Sequence, residues 1–258
     1  MDAVLLSGGI PKPEDPLYEY TLGEPKALID ICGKSMIQWV LDALEKAATV
    51  TNIIVVGIPQ GVDLASTKIK SRIPSKSDLL ENVRFGVMEL LKINPNASHA
   101  LISSSDIPAI TAESVNWVVQ ETQKTDLDLY YNVITRQVME KRFPKSKRSY
   151  TRLKDVELCG GDMNVIRTSK VTEDDELYRK IMDARKNAFK QASLIGIDTL
   201  LLLLLRRCDL ESAVKRVESK LNLTGQAILC PYAEVGMDVD KPHQLEILRT
   251  DLSKRSAA

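Results

Sequence analysis

Several features are scarce in this 258-residue chain, and each scarcity excludes something. Its four cysteines, Cys32, Cys159, Cys208 and Cys230, are widely separated and form no CxxC pair, so zinc ligation by closely spaced thiols is excluded and reduced, mostly buried thiols are expected. The two histidines, His99 and His243, add no metal cluster. Neither sign of charge is in excess, because 35 basic residues balance 35 acidic ones; broad nucleic-acid binding needs a basic surplus, so no nucleic-acid partner is expected. Long apolar runs are missing too. The longest, residues 200–205, is six leucines, far short of the ~20 residues that span a bilayer. It reads as a buried helix or as the face of a homodimer. The apolar start at residues 3–6 is too brief for a secretory signal and lacks a basic flank, which together with the thiols points to the cytoplasm. There is no internal repeat and no low-complexity tract.

What is present reads as one folded unit. Hydrophobic residues make up 44% and charged residues 27%, the balance of an ordinary soluble domain. Apolar runs at residues 3–6, 52–57, 100–103 and 127–134 predict strands, and 28–31 and 227–230 predict two shorter ones. Helices are expected from Ser35 through about 48, from Asp78 through about 91, from Thr111 through about 124, across most of 173–220, and from Pro242 through about 252. Strands alternating with helices imply an α/β fold, a mostly parallel Rossmann-like sheet with helices on both faces. Residues 140–154 break the pattern with seven basic side chains, among them Arg142, Arg148 and Arg152, against one acid. This segment reads either as a solvated arm or as a receiver for an anionic acceptor.

In open parallel sheets, ligands sit beyond the carboxyl ends of the strands. Three features converge on that edge. Ser7-Gly8-Gly9 follows the first strand, and glycines let backbone N–H groups approach phosphates and base edges; a plain turn explains the same pair. Lys26 stands where a proline-rich loop re-enters the fold, suited to a triphosphate and to departing pyrophosphate; a solvated lysine is the alternative. Asp106 follows the third strand, where a carboxylate is well placed for Mg²⁺, which takes one or two carboxylates and completes its shell with phosphates and waters. Asp238 and Asp240 alternate around Val239 and offer the second carboxylate, unless Asp240 only caps the helix that Pro242 opens.

The order Leu5-Leu6-Ser7-Gly8-Gly9, Pro25-Lys26-Ala27-Leu28, Gly33-Lys34-Ser35-Met36-Ile37, Ser105-Asp106-Ile107-Pro108 and Asp238-Val239-Asp240-Lys241-Pro242 resembles the MobA-like NTP transferase family. The resemblance runs over residues 1–249. It implies a glycosyltransferase-A-like fold of the nucleotide-diphospho-sugar transferase type, with residues 1–258 forming one nucleotidyltransferase domain that carries an acceptor-side insertion around 137–225. It also implies roles. Ser7, Gly8 and Gly9 would hold base and phosphates, and Lys26 would stabilise the transition state. Asp106, with Asp238 or Asp240, would bind Mg²⁺. Asn82 would contact the base, from the helix start Leu80-Glu81-Asn82-Val83-Arg84-Phe85-Gly86. Many relatives place an arginine just after the glycines; here the loop reads Ile10-Pro11-Lys12-Pro13-Glu14-Asp15, and Lys12 is the substitute, a point charge without bidentate reach. The implied partners are an NTP and a phosphorylated small molecule, with pyrophosphate released. Asp162 and Asn164 are candidate ligands for acceptor hydroxyls. The rival expectations are a glycosyltransferase of the same fold and a non-catalytic nucleotide-binding protein.

Overall fold

The computed structural model describes residues 1–76, 78–173 and 208–256. The leucine run at 200–205 and most of the helical expectation for 173–220 lie outside the described residues.

The first half winds around three strands whose residues are buried on both faces. They are β1 (Asp2–Leu6), β4 (Ile53–Val56) and the later β6 (His99–Ser104); between β1 and β4 lie the short helix α1 (Tyr18–Thr21), the hairpin β2 (Asp30–Ile31) and β3 (Lys34–Ser35), and helix α2 (Met36–Lys46). Next come β5 (Ile69–Ile73), α3 (Leu79–Ile93), β6 (His99–Ser104) and α4 (Ala112–Thr122). The second half holds β7 (Leu129–Thr135), α5 (Arg136–Arg142), β8 (Thr151–Arg152), β9 (Glu157–Gly160), β10 (Met163–Arg167) and α6 (Thr168–Thr172). The chain closes with α7 (Leu210–Leu221), β11 (Gly225–Leu229) and α8 (Pro242–Ser256).

Alternation along β1 and β4 explains the layering. Ala3, Leu5, Ile53 and Val55 point into the larger core, with α2, α4 and α8. Val4, Ile54 and Val56 point into a smaller core against Val87 and Leu90 of α3. Helices therefore cover both faces, and the strands read as continuous apolar runs for that reason. Gly86 lets α3 sit close, since a Cβ there would fall 2.4 Å from Val4 Cγ1. Two helix starts follow their sequence signals. The Asp78 carboxylate accepts from Glu81 N, and Thr111 and Ser114 form a reciprocal capping box.

The main sheet has nine strands in the order β5-β4-β1-β6-β10-β7-β9-β8, with β11 on β7. Strands β5, β4, β1 and β6 are parallel, β11 is parallel to β7, and β9 and β10 run against their neighbours. The expected mostly parallel sheet is thus present. Two details differ from the sequence reading. Strand β5 was not anticipated, because residues 69–73 carry apolar side chains only at their two ends and lie half-exposed at the sheet margin. Residues 28–31 do not form one strand. Lys26–Leu28 is a 3₁₀ turn, and β2 and β3 are joined by Cys32 and Gly33, both at positive φ (56° and 80°), the geometry of a two-residue hairpin turn.

The β9–β10 segment holds the feature that matters most for the site. Both strands lie antiparallel along β7, but β9 pairs Val133 with Gly160 while β10 pairs Tyr130 with Val165. The paired numbers sum to 293 in one and 295 in the other, so two extra residues bulge out between them. Asn164 secures this bulge: its Oδ1 accepts from Asn132 N at 2.8 Å and its Nδ2 donates to Gly161 O at 2.9 Å. Among the described residues no helix is long and apolar enough to cross a membrane.

Candidate active site at the carboxyl edge of the sheet

Strands β1, β4, β5 and β6 all end at one edge, and the loops beyond them enclose a hollow of about 320 Å³. Ser7, Gly8, Gly9, Lys26, Asn82, Ser105 and Asp106 line it, together with Ser75 and Lys76 from the loop after β5. Ser7 is buried and gives both its N–H and its hydroxyl to Val56 O, at 2.9 and 2.8 Å. The turn is therefore stitched to β4. A Cβ on Gly8 would meet Ser75 Oγ at 2.2 Å, whereas one on Gly9 would meet nothing within 4 Å. Gly8 is thus a close-packing position and Gly9 borders open space. The Asn82 side chain accepts from Lys76 N at 2.6 Å and donates to Ser75 Oγ at 3.1 Å, so it shapes the opposite wall. Lys12 is exposed and stands outside this lining; its N–H is held by Asp15 Oδ2 at 2.7 Å.

Lys26 is brought in by its backbone, whose N–H donates to Gly9 O at 2.8 Å. Its ammonium then lies 2.6 Å from Asp106 Oδ2 and 3.0 Å from Asp240 Oδ1. Burial works against this ammonium, but Asp106 and then Asp240 outweigh it and raise its pKa above the ordinary lysine value. Burial likewise opposes ionisation of Asp240, yet Lys26 holds its pKa low. The segment carrying Asp238 and Asp240 is fastened beside Asp106 by Val239 N, which donates to Asp106 O at 3.0 Å.

Two further charged groups join from the second half. The bulge turns Asp162 inward, with its N–H on Val235 O and its carbonyl accepting from Ser104 N. Burial, and then the negative neighbours Asp106 and Asp238, push its pKa up to about 8. From the basic segment, the Arg148 guanidinium donates to Asp238 Oδ1. Burial keeps the Asp238 pKa raised even so. The basic segment is therefore no free arm: Arg142 also makes a bidentate pair with Asp251, both bonds 2.7 Å. Asn164, offered as a ligand for acceptor hydroxyls, instead uses its amide to hold the bulge. The sequence reading placed Lys26, Asp106, Asp238 and Asp240 at the site, and the structure brings all four together. It missed Arg148 as a partner of Asp238 and the wall formed by Ser75 and Lys76. The only sequence signal for Arg148 was the local basic excess.

Even with Asp162 protonated, Asp106, Asp238 and Asp240 outnumber the cations Lys26 and Arg148, which leaves a surplus of negative charge beside the hollow. Asp106 Oδ1 and Asp162 Oδ2 are buried without a hydrogen-bond partner, as acceptors awaiting a cation would be. Among the described residues no group of three or more His, Cys, Asp or Glu side chains is disposed to hold a metal by itself. A hard divalent ion that takes one or two carboxylates and completes its shell with phosphate oxygens does not require one, and the orphaned oxygens fit such an ion.

A glycine turn, a lysine shared by two carboxylates and an electronegative mouth thus meet at the carboxyl edge of this α/β sheet. The chain belongs to the MobA-like NTP transferase domain family, whose sequence model matches residues 20–172. A hypothetical transferase from Thermus thermophilus is 30% identical, with a TM-score of 0.81 over 95% of this chain and 98% of that one. The bifunctional protein GlmU of Thermoanaerobacter pseudethanolicus is 29% identical over 102 residues, 38% of this chain. The match spans only 22% of that relative. CMP:2-keto-3-deoxy-manno-octonic acid synthetase, solved with CTP, has a TM-score of 0.58 at 14% identity, covering 98% of this chain and 99% of its own. At that identity the likeness speaks to the fold.

Proposed function

We propose that this protein is a divalent-metal-dependent nucleotidyltransferase that moves an NMP unit from an NTP to a phosphorylated small molecule and releases pyrophosphate. The observation that carries the reading is Lys26, whose ammonium is shared between Asp106 and Asp240 beside the glycine turn. The likeness in fold to a synthetase solved with CTP supports it. Gly8 and Gly9 border the NTP with backbone atoms, while Ser7 and Asn82 hold the two walls in place. Lys26 faces the phosphates and offsets the charge that builds up as pyrophosphate departs. Lys12 joins only by swinging inward from its exposed loop. Asp106, with Asp238 or Asp240, would hold Mg²⁺. That ion supplies Lewis-acid polarisation of the α-phosphate. The acceptor's phosphate oxygen attacks the α-phosphorus in line, so the chain's own contribution is positioning and charge compensation, with no covalent enzyme intermediate.

The test is an incubation with Mg²⁺, each NTP and a panel of sugar 1-phosphates and related phosphomonoesters, read as pyrophosphate. Asp106→Ala should lower turnover on the productive pair about a hundredfold or more. Near-normal turnover in that variant refutes the assignment. Release of NDP from a nucleotide sugar instead would make the protein a glycosyltransferase.

A further inference from the structure

The Arg148 side chain is unusual among the cations of this protein. It is only 14% exposed, and its partner Asp238 is only 12% exposed. A guanidinium carries five N–H donors in a planar fork. Here Nη1 serves Asp238, while Nε is buried without an acceptor. An unpaired buried donor is costly, by about 1–3 kcal/mol, and a ligand that completes it is one way such a donor is kept. The segment that delivers Arg148 is also held under constraint. Lys145 and Lys147 sit at φ of 70° and 53°, a left-handed conformation that ordinary side chains avoid and that clusters at functional sites. Between them Ser146 is fully buried, and its carbonyl is bonded by His243 Nε2 at 3.0 Å. His243 belongs to α8 and lies three residues after Asp240. Two residues beyond Arg148, Tyr150 packs under Arg136 and bonds Glu140. The chain is thus fixed on both sides of Arg148, and the guanidinium reaches the carboxylate cluster between those anchors.

We propose that Arg148 binds the acceptor's anionic group, and that in the free protein it is parked on Asp238, which gives it up on turning to a divalent cation. The proposal rests on the phosphorylated-acceptor reading above. Charge supplies the logic. In the free protein Lys26 compensates Asp106 and Asp240, and Arg148 compensates Asp238. Once Asp238 has a divalent cation for its partner, the guanidinium is left with unused donors beside the site, and a phosphate monoester is the group its fork matches. The loop after the glycine turn lacks a bidentate cation, and Arg148 supplies one from the opposite side, next to the acceptor half of the sheet. Cation and acceptor phosphate then help each other to bind, and that coupling is reciprocal.

The experiment titrates Mn²⁺ alone into the full chain, followed by electron paramagnetic resonance, and repeats the titration with inorganic phosphate, for the natural protein, Arg148→Lys and Arg148→Met. Circular dichroism reports whether each variant is folded. Phosphate should tighten Mn²⁺ binding to the natural protein by about fivefold or more, because it takes Arg148 off Asp238. Arg148→Met should bind Mn²⁺ alone about tenfold more tightly, a shift of ~1.4 kcal/mol, and should lose the phosphate effect. Arg148→Lys keeps the charge without the fork and should lose most of the phosphate effect, so it decides the matter if the Met variant fails to fold. Equal Mn²⁺ affinity in natural and Met proteins, or an unchanged phosphate effect in either folded variant, overturns the proposal. Pyrophosphate release separates this failure from failure of the reaction. Release by Arg148→Met with an unaltered acceptor KM overturns the role of Arg148 and leaves the reaction standing. Phosphate coupling intact without release from any NTP and acceptor overturns the reaction and upholds Arg148 as the anion ligand.

Discussion

At Asp162 burial and the neighbouring carboxylates of Asp106, Asp238 and Asp240 outweigh Arg148 and raise the pKa from 3.8 to about 8. The unfolded chain gives up this proton near 3.8 and the folded chain near 8, so between those values the folded state holds the extra proton. Stability owed to this group is therefore full below the lower value and is lost as pH rises through the window. Asp162→Asn removes the dependence. Urea midpoints across that range should favour the variant over the natural protein by more than about 1 kcal/mol at the alkaline end, with the gap closing toward the acid end. A gap that widens on acidification would refute the sign. The residue also shows what composition conceals. Lys26, Asp106 and Asp240 were legible because each follows a recognisable strand or loop. Asp162 enters the cluster only because a two-residue bulge turns it there, and within residues 157–167 only Gly160-Gly161 hints at a break, without fixing the register shift.

At the scale of elements, the glycine turn and β4 form one unit. Register pairs Leu6 with Val56, which sets Gly57 against Gly8 across the strand ends. A Cβ on Gly57 would fall 2.4 Å from Gly8 Cα, and its φ is 101°. Backbone cannot yield as a flexible side chain does, so Gly57→Ala should cost about 1–3 kcal/mol in a urea titration. Gly9→Ala should leave stability within ~0.5 kcal/mol, because its Cβ meets nothing within 4 Å, yet weaken NTP binding by placing a methyl group in the hollow. Titration with a fluorescent nucleotide checks the second half; natural affinity in Gly9→Ala would show that the nucleotide lies elsewhere. Ser7-Gly8-Gly9 was readable as a turn from the sequence. Gly57 was not, since its constraint arises from the turn after a parallel strand, at Gly8, far away in the chain.

At the scale of the whole molecule, the two tryptophans offer a test of whether residues 1–258 act as one domain with an acceptor-side insertion. Trp39 bonds Ile31 O within the first half, and Trp117 packs edge-on against Tyr232 from the second, ring centroids 5.8 Å apart. The Arg142–Asp251 pair further ties α5 to α8. One cooperative transition is expected, with tryptophan fluorescence and far-UV circular dichroism giving the same urea midpoint. Separate midpoints would mean that the acceptor side unfolds independently.

The sequence by itself determined the elements whose causes are local. Strands β1, β4 and β6 follow from apolar runs, helix starts at Asp78 and Thr111 from side chains that reach three residues ahead, and the candidate roles of Lys26 and Asp106 from the order of short motifs. The tertiary structure decided the half-exposed strand β5, the bulge behind Asp162, and which cation faces which acid. Those outcomes depend on strand register and on groups distant in the chain. Lys26 and Asp106 are 80 residues apart, and Arg148 and Asp238 are 90 apart. A buried charge takes the partner that packing brings within reach, and periodicity along the chain carries no record of that choice.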